Sequence, residues 1–159
     1  MLPGCTPLDQ VPLDGCQRRL TMSGEEILRE AIQGEADAHK LYTEAVGMVQ
    51  EEHVKQTLRD LAQEELGHQA VLERFLENPS QMQAQVSKLQ DAPVQDYKIA
   101  DHLVLQPLGP DSTFQDVCIF AAKKEQQSYE LYSGMAAQNE GEIRDLLQAM
   151  ANDELRHKN

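Results

Sequence analysis

The chain has 159 residues, enough for one domain with a sizeable core, and 40% of it is apolar. Its formal net charge of −13 argues against nucleic acid as a partner. No apolar run is long enough to span a membrane, and no secretory h-region opens the sequence, so a cytoplasmic protein is expected.

Residues 1–22 hold three prolines and no periodicity, and read as an irregular N-terminal tail. Cys5 and Cys16 fall in it, with free thiols expected rather than a bridge. "SGEE" then forms a capping box with Ser23 as N-cap and Glu26 at N3, so a domain is expected over 23–159. Helix 1 is predicted over about 24–50, with Leu28, Ala31, Glu35, Ala38/His39, Tyr42, Val46 and Val49 on one face. Helix 2 is predicted over about 51–77. In it Val54, Leu58, Leu61, Leu72 and Phe75 step by fours and threes, and continuing the step puts Glu65 and His68 in the gap.

Residues 78–111 carry Pro79, Pro93, Pro107 and Pro110 and read as a long connection, with short helical pieces around 81–90 and 97–104. "PDSTFQDV" opens helix 3, which runs to about 138. Its inner face is read as Cys118, Ala121/Ala122, Glu125, Ser128/Tyr129, Tyr132 and Met135, with Cys118 in the core. Helix 4 starts near Glu140 and presents Ile143, Leu147, Met150, Glu154 and His157. His53 and His102 read as surface residues.

The pattern occurs twice. "GEADAHKLY" (34–42) matches "KEQQSYELY" (124–132), and "LAQEELGH" (61–68) matches "MANDELRH" (150–157). The offsets are 90 (Glu35 to Glu125) and 89 (Glu65 to Glu154). A duplicated helical hairpin follows, and the long connection suits a crossover between the two copies. The fold class is therefore all-α: a four-helix bundle of two hairpins joined by a crossover.

Six polar residues thus fall on inward faces: Glu35, Glu65, His68, Glu125, Glu154 and His157. A single Glu-x-x-His in a Glu-rich helix is weak evidence; two of them, with two further Glu residues in the same order, are not. An unpaired buried ion costs several kcal/mol, and the inner faces offer no Lys or Arg. Two divalent cations balance four carboxylates and leave both imidazoles as neutral ligands. Glu and His at i and i+3 share a helix face about 5–6 Å apart. The Glu of each Glu-x-x-His can then bridge two metals while its His binds one. Oxygen-rich ligation with one imidazole per metal suits Fe or Mn better than Cu(I), with Zn as a redox-silent substitute. A metal-free bundle is the alternative.

Glu35, "EELGH" (64–68), Glu125 and "DELRH" (153–157) resemble the rubrerythrin-related branch of the ferritin-like superfamily, over about 24–158. The resemblance implies a ferritin-like bundle with two iron ions per chain. Glu65 and Glu154 would bridge, Glu35 and Glu125 would be terminal ligands, and His68 and His157 would bind one metal each. Tyr42 and Tyr132 resemble the family's tyrosines beside the metal ligands; His39 and Tyr129 are weaker candidates. The implied activity is oxidoreductase chemistry of a peroxidase or ferroxidase type. O₂ or H₂O₂ would be reduced with electrons from a separate rubredoxin-like donor, or Fe²⁺ would itself be oxidised, in a homodimer serving oxidative-stress defence. The alternative is a non-catalytic iron-binding module, a fragment of a larger protein.

Three departures from the family pattern stand out. No C-x-x-C pair, and so no rubredoxin module, occurs in the sequence. Ser128 stands where rubrerythrins carry an extra Glu, and Ala38 occupies the parallel place in helix 1. Family chains usually continue past the last His, whereas this one stops at Asn159, which fits a truncated piece.

Overall fold

Ser23 opens α1 by the expected capping box: its Oγ accepts from the Glu26 amide at 3.2 Å, and the Ser23 amide donates to Glu26 Oε2 at 2.6 Å. In the computed structural model, which describes residues 22–82, 86 and 94–158, α1 covers Gly24–Val46 and α2 covers Glu52–Glu77. A 3₁₀ turn at Ile99–His102 interrupts the connection. A second capping box, Thr113 with Asp116, opens α3 at Phe114–Ala137, and α4 covers Gly141–Lys158. No strand occurs among the described residues. The expected tail with Cys5 and Cys16, and most of the piece expected at 81–90, lie outside the described residues.

Side-chain pairs fix the topology. His39 of α1 meets Ala62 of α2, and Glu35 meets His68, so these two helices are antiparallel. Tyr42 meets Glu125 and Tyr132 meets Glu35, so α3 is antiparallel to α1 as well. Hence α2 and α3 run parallel, and the chain must travel back along the bundle between them. The long connection exists for that return, as ferritin-like bundles require. The turn from α3 to α4 is short instead, and Gly141 adopts φ +63 there, a conformation that costs glycine nothing.

The core is not one block. One apolar cluster holds Ile27, Leu28, Leu72, Phe75, Ala136, Leu146, Leu147 and Met150. The other holds Tyr42, Ala45, Val49, Val54, Leu58, Ala62 and Val117. The polar residues of the inner faces lie in sequence between these two sets on α1, α2 and α3, and on α4 they follow the first set. The fold therefore seals a polar layer between two dry ends.

Three expectations need correcting. Helix 1 stops at Val46, because Gly47 begins the turn; Val49 is buried from the turn itself. Cys118 is exposed, and its neighbour Val117 takes the core place. At that end α3 packs with Tyr42, Val54 and Leu58 of the first hairpin, which rotates the buried face by one residue. The inner faces also do carry a cation. Lys158 is buried, with its ammonium donating to Asp96 and, at 2.6 Å, to Gln126 Oε1.

Candidate metal centre

Glu35, Glu65, Glu125 and Glu154 are all buried, each from a different helix, and so is His68. Each is where the 3.6-residue period places it: Glu65 and His68 sit between Ala62 and Leu72 on the inner face of α2, and Glu154 follows Met150 and Ala151 on α4. His157 sits at the edge, its side chain 25% exposed.

Around His68 the donor atoms converge. Its Nδ1 lies 3.1 Å from Glu154 Oε1, 3.3 Å from Glu65 Oε2 and 3.7 Å from Glu35 Oε2. Glu35, Glu65, His68 and Glu154 each offer an atom within 4.8 Å of the others, and so do Glu125, Glu154 and His157. Glu154 belongs to both groups. His157 Nδ1 lies 3.8 Å from Glu125 Oε2, and the two imidazole rings stack at 5.4 Å between centroids. The six residues expected from the sequence are thus brought into one cluster, with Glu65 in the His68 group alone.

The tyrosines set the orientation of the carboxylates. Tyr42 Oη donates to Glu125 Oε1 at 2.9 Å, and Tyr132 Oη donates to Glu35 Oε1. Each tyrosine so holds one oxygen of a glutamate from the other hairpin and leaves the second oxygen facing inward. Burial first, and the surrounding carboxylates second, push both phenols above their ordinary range, so they stay donors. His39 faces elsewhere, with its Nδ1 2.8 Å from the Ala62 carbonyl, and Tyr129 lies beneath the Lys158 ammonium. His53 and His102 are exposed, as expected.

Two residues escaped the sequence reading. Asp153 Oδ2 lies 3.2 Å from His68 Nε2, and Glu64 Oε2 lies 3.9 Å from His157 Nδ1. Each directly precedes the Glu of a Glu-x-x-His and serves the histidine of the other hairpin. The signal was present as an acid at equivalent places of "EELGH" and "DELRH". Such carboxylates fix a ring's tautomer and orientation.

Crowding perturbs the acids. Burial raises Glu65 to about 8, with His68 opposing and the Glu35 and Glu125 carboxyls adding to it. Burial likewise raises Glu154 to about 10. On Glu125 burial is outweighed by the neighbouring His157 and Glu154 and by the Tyr42 hydrogen bond, which hold it below the usual range. Burial also opposes the charged form of His68, but Asp153 and the three glutamates outweigh it and raise its pKa well above the ordinary value. Ordinary proton-free carboxylates cannot satisfy one another. Accordingly His68 Nδ1, Glu125 Oε2 and both oxygens of Glu154 are buried without a hydrogen-bond partner. Unpartnered buried polar atoms are rare and costly. A carboxylate-binding cation supplies what they lack, so this donor set fits a metal pair.

Neither a curated protein nor a solved structure matches the chain. The family model described as Rubrerythrin matches residues 26–159, which span all four helices and every residue of the cluster. The chain belongs to the rubrerythrin family, a ferritin-like family whose members imply a di-iron site.

Proposed function

We propose that the chain is a di-iron redox protein. It holds two iron ions with Glu35, Glu65, His68, Glu125, Glu154 and His157. It reduces O₂ or H₂O₂ with electrons from a separate carrier, or oxidises Fe²⁺ as its substrate. The observation that carries this reading is the set of unpartnered buried atoms on His68, Glu125 and Glu154, which face one another between the helices. When bound, the iron pair supplies electrons to the oxidant in a single two-electron step.

The chain's own residues prepare the site for that chemistry. Glu154 would serve both ions, because both its oxygens are unpartnered and it belongs to both of these donor groups. Glu65, at the equivalent place of the repeat, would hold the ion of the His68 group beside Glu154. Tyr42 and Tyr132 orient Glu125 and Glu35 and keep protons beside the centre. Asp153 holds His68 through Nε2 and leaves Nδ1 for the metal. The apolar clusters above and below exclude water, which strengthens every electrostatic contact between them.

Anaerobic Fe²⁺ titration followed by exposure to O₂ or H₂O₂ tests the reading. Two equivalents should bind per chain, and each pair should consume one oxidant molecule and turn over again when a reductant is supplied. Stable uptake without turnover would support an iron-binding module instead, and no uptake would overturn the metal centre.

A further inference from the structure

The two Glu-x-x-His segments differ at one position that bears on how firmly each histidine is held. In "DELRH" the residue before His157 is Arg156; in "EELGH" the residue before His68 is Gly67. Arg156 lies three residues after Asp153 on the same helix face, and its Nη1 reaches Asp153 Oδ1 at 3.1 Å. Asp153 is thereby clamped from one side while its other oxygen sits 3.2 Å from His68 Nε2. Glu64 stands in the same relation to Gly67 that Asp153 has to Arg156. Glycine offers no guanidinium, so Glu64 gains no such clamp. Its side chain is 50% exposed, and it approaches His157 only to 3.9 Å.

We propose that the two metal positions are unequal for this reason. The His68 position is locked by the Asp153–Arg156 pair, and the His157 position is the labile one, which fills second and exchanges with solution. This deepens the dimetal reading and rests on it. The asymmetry is local and reversible in principle, because an added Cβ at Gly67 meets nothing within 4 Å and a longer side chain can follow the outer face of α2 toward Glu64. Loss of an outer partner of a metal-binding histidine typically weakens metal affinity about 10–100-fold, which sets the size of the effect.

Cobalt(II) alone is a suitable probe. The full chain is stripped, loaded with two equivalents, and challenged with excess chelator while the visible cobalt absorption is followed. Wild type should release its ions in two phases, with rates about 10-fold or more apart. Gly67→Arg should slow the fast phase by about 10-fold and leave the slow phase in place. Gly67→Ala, which brings helix propensity without a guanidinium, should leave both unchanged. Arg156→Gln should speed the slow phase and merge the two, and it keeps the test decisive if Gly67→Arg disturbs folding by circular dichroism. Release of both ions in one phase from wild type would overturn the inequality while leaving the dimetal centre standing. Gly67→Ala slowing release as much as Gly67→Arg would overturn the role of the clamp. Absence of cobalt uptake would overturn the metal centre and this inference together.

Discussion

The α1–α2 and α3–α4 hairpins carry the same inward residues at offsets of 89 and 90, yet they anchor them differently. Glu35 and Glu125 are treated alike, each held by a tyrosine from the opposite hairpin. The histidines are not. His68 is 6% exposed, whereas the His157 side chain stands at the edge. Nor are the residues that follow them, since Gln69 is half-buried and Lys158 is buried against Asp96. Residues that meet at the centre must satisfy each other across the repeat and so match in kind. Residues that support them meet different neighbours and diverge. Neither hairpin holds a complete half-site, because Tyr42, Tyr132, Asp153 and Glu64 each act on the other copy.

The largest effect should come from removing a residue that serves both halves. Glu154 belongs to both donor groups, whereas Glu35 belongs to one. Glu154→Ala is expected to take metal content from two ions per chain to none, and Glu35→Ala to leave one. Elemental analysis after desalting measures this. Two ions retained in the Glu154→Ala chain would remove its bridging role and with it the contrast between shared and private ligands.

Without metal, both hairpins should weaken with rising pH. Glu65 and Glu154 sit near 8 and 10 in the folded chain, well above the ordinary carboxyl value they regain on unfolding. Between about pH 5 and 8 the native state therefore binds more protons than the unfolded state, and stability falls as pH rises. Each such proton contributes a slope of about 1.4 kcal/mol per pH unit. His68 acts in the same direction, since its raised pKa favours the folded state until the ring loses its proton. Asp153 and Glu125, both lowered, act in the opposite sense only at more acidic pH. Urea denaturation of the stripped chain at pH 5 and pH 8 should show the acid side several kcal/mol more stable. Glu65→Gln and Glu154→Gln should each flatten part of the slope. A flat profile would mean that the acids are not crowded together.

How much of this was legible beforehand follows from which forces act where. Periodicity placed the four helices, and the Ser23 capping box marked the start of α1, because local hydrogen bonds write themselves into local sequence. The six central residues were legible because polar side chains on an apolar stripe have few explanations. Asp153, Glu64 and Arg156 were not, since an acid or an arginine on the outer edge of a helix usually means a solvated face. Lys158 was missed for a related reason. Its counterion Asp96 comes from the connection, 62 residues away, and no helical period reports on such a partner. Cys118 was misplaced because the face α3 buries depends on its contact with the other hairpin.

The Lys158–Asp96 pair tests the difference in anchoring directly. The Lys158 side chain is 1% exposed and that of Asp96 21%. Asp96→Asn should strand a buried cation and cost about 2–3 kcal/mol. Lys158→Met fills the same space and leaves Asp96 within reach of water, so it should cost about 1 kcal/mol. Chemical denaturation of both variants gives the order. The reverse order would assign the anchor to the lysine's packing instead of its charge.

The tyrosines, whose effect is smallest in the metal-loaded chain, offer the sharpest check on the likeness of the halves. Tyr42→Phe and Tyr132→Phe each delete one hydroxyl from a buried place and keep the ring in its cluster. Each strands the Oε1 of a buried glutamate, Glu125 or Glu35, and no second donor to that oxygen is present among the described residues. A lost hydrogen bond to a charged group costs about 1.5–3 kcal/mol when the acceptor stays unsatisfied, and less when it can turn toward a metal. In the metal-loaded chain the cost should therefore fall to about 1 kcal/mol, because the freed oxygen gains a cation to face. The two variants should match each other in both states, since the contacts are reciprocal across the repeat. A loss confined to Tyr42→Phe would show that the likeness stops at the carboxylates, and that the α1–α2 half holds Glu35 by other means than Tyr132.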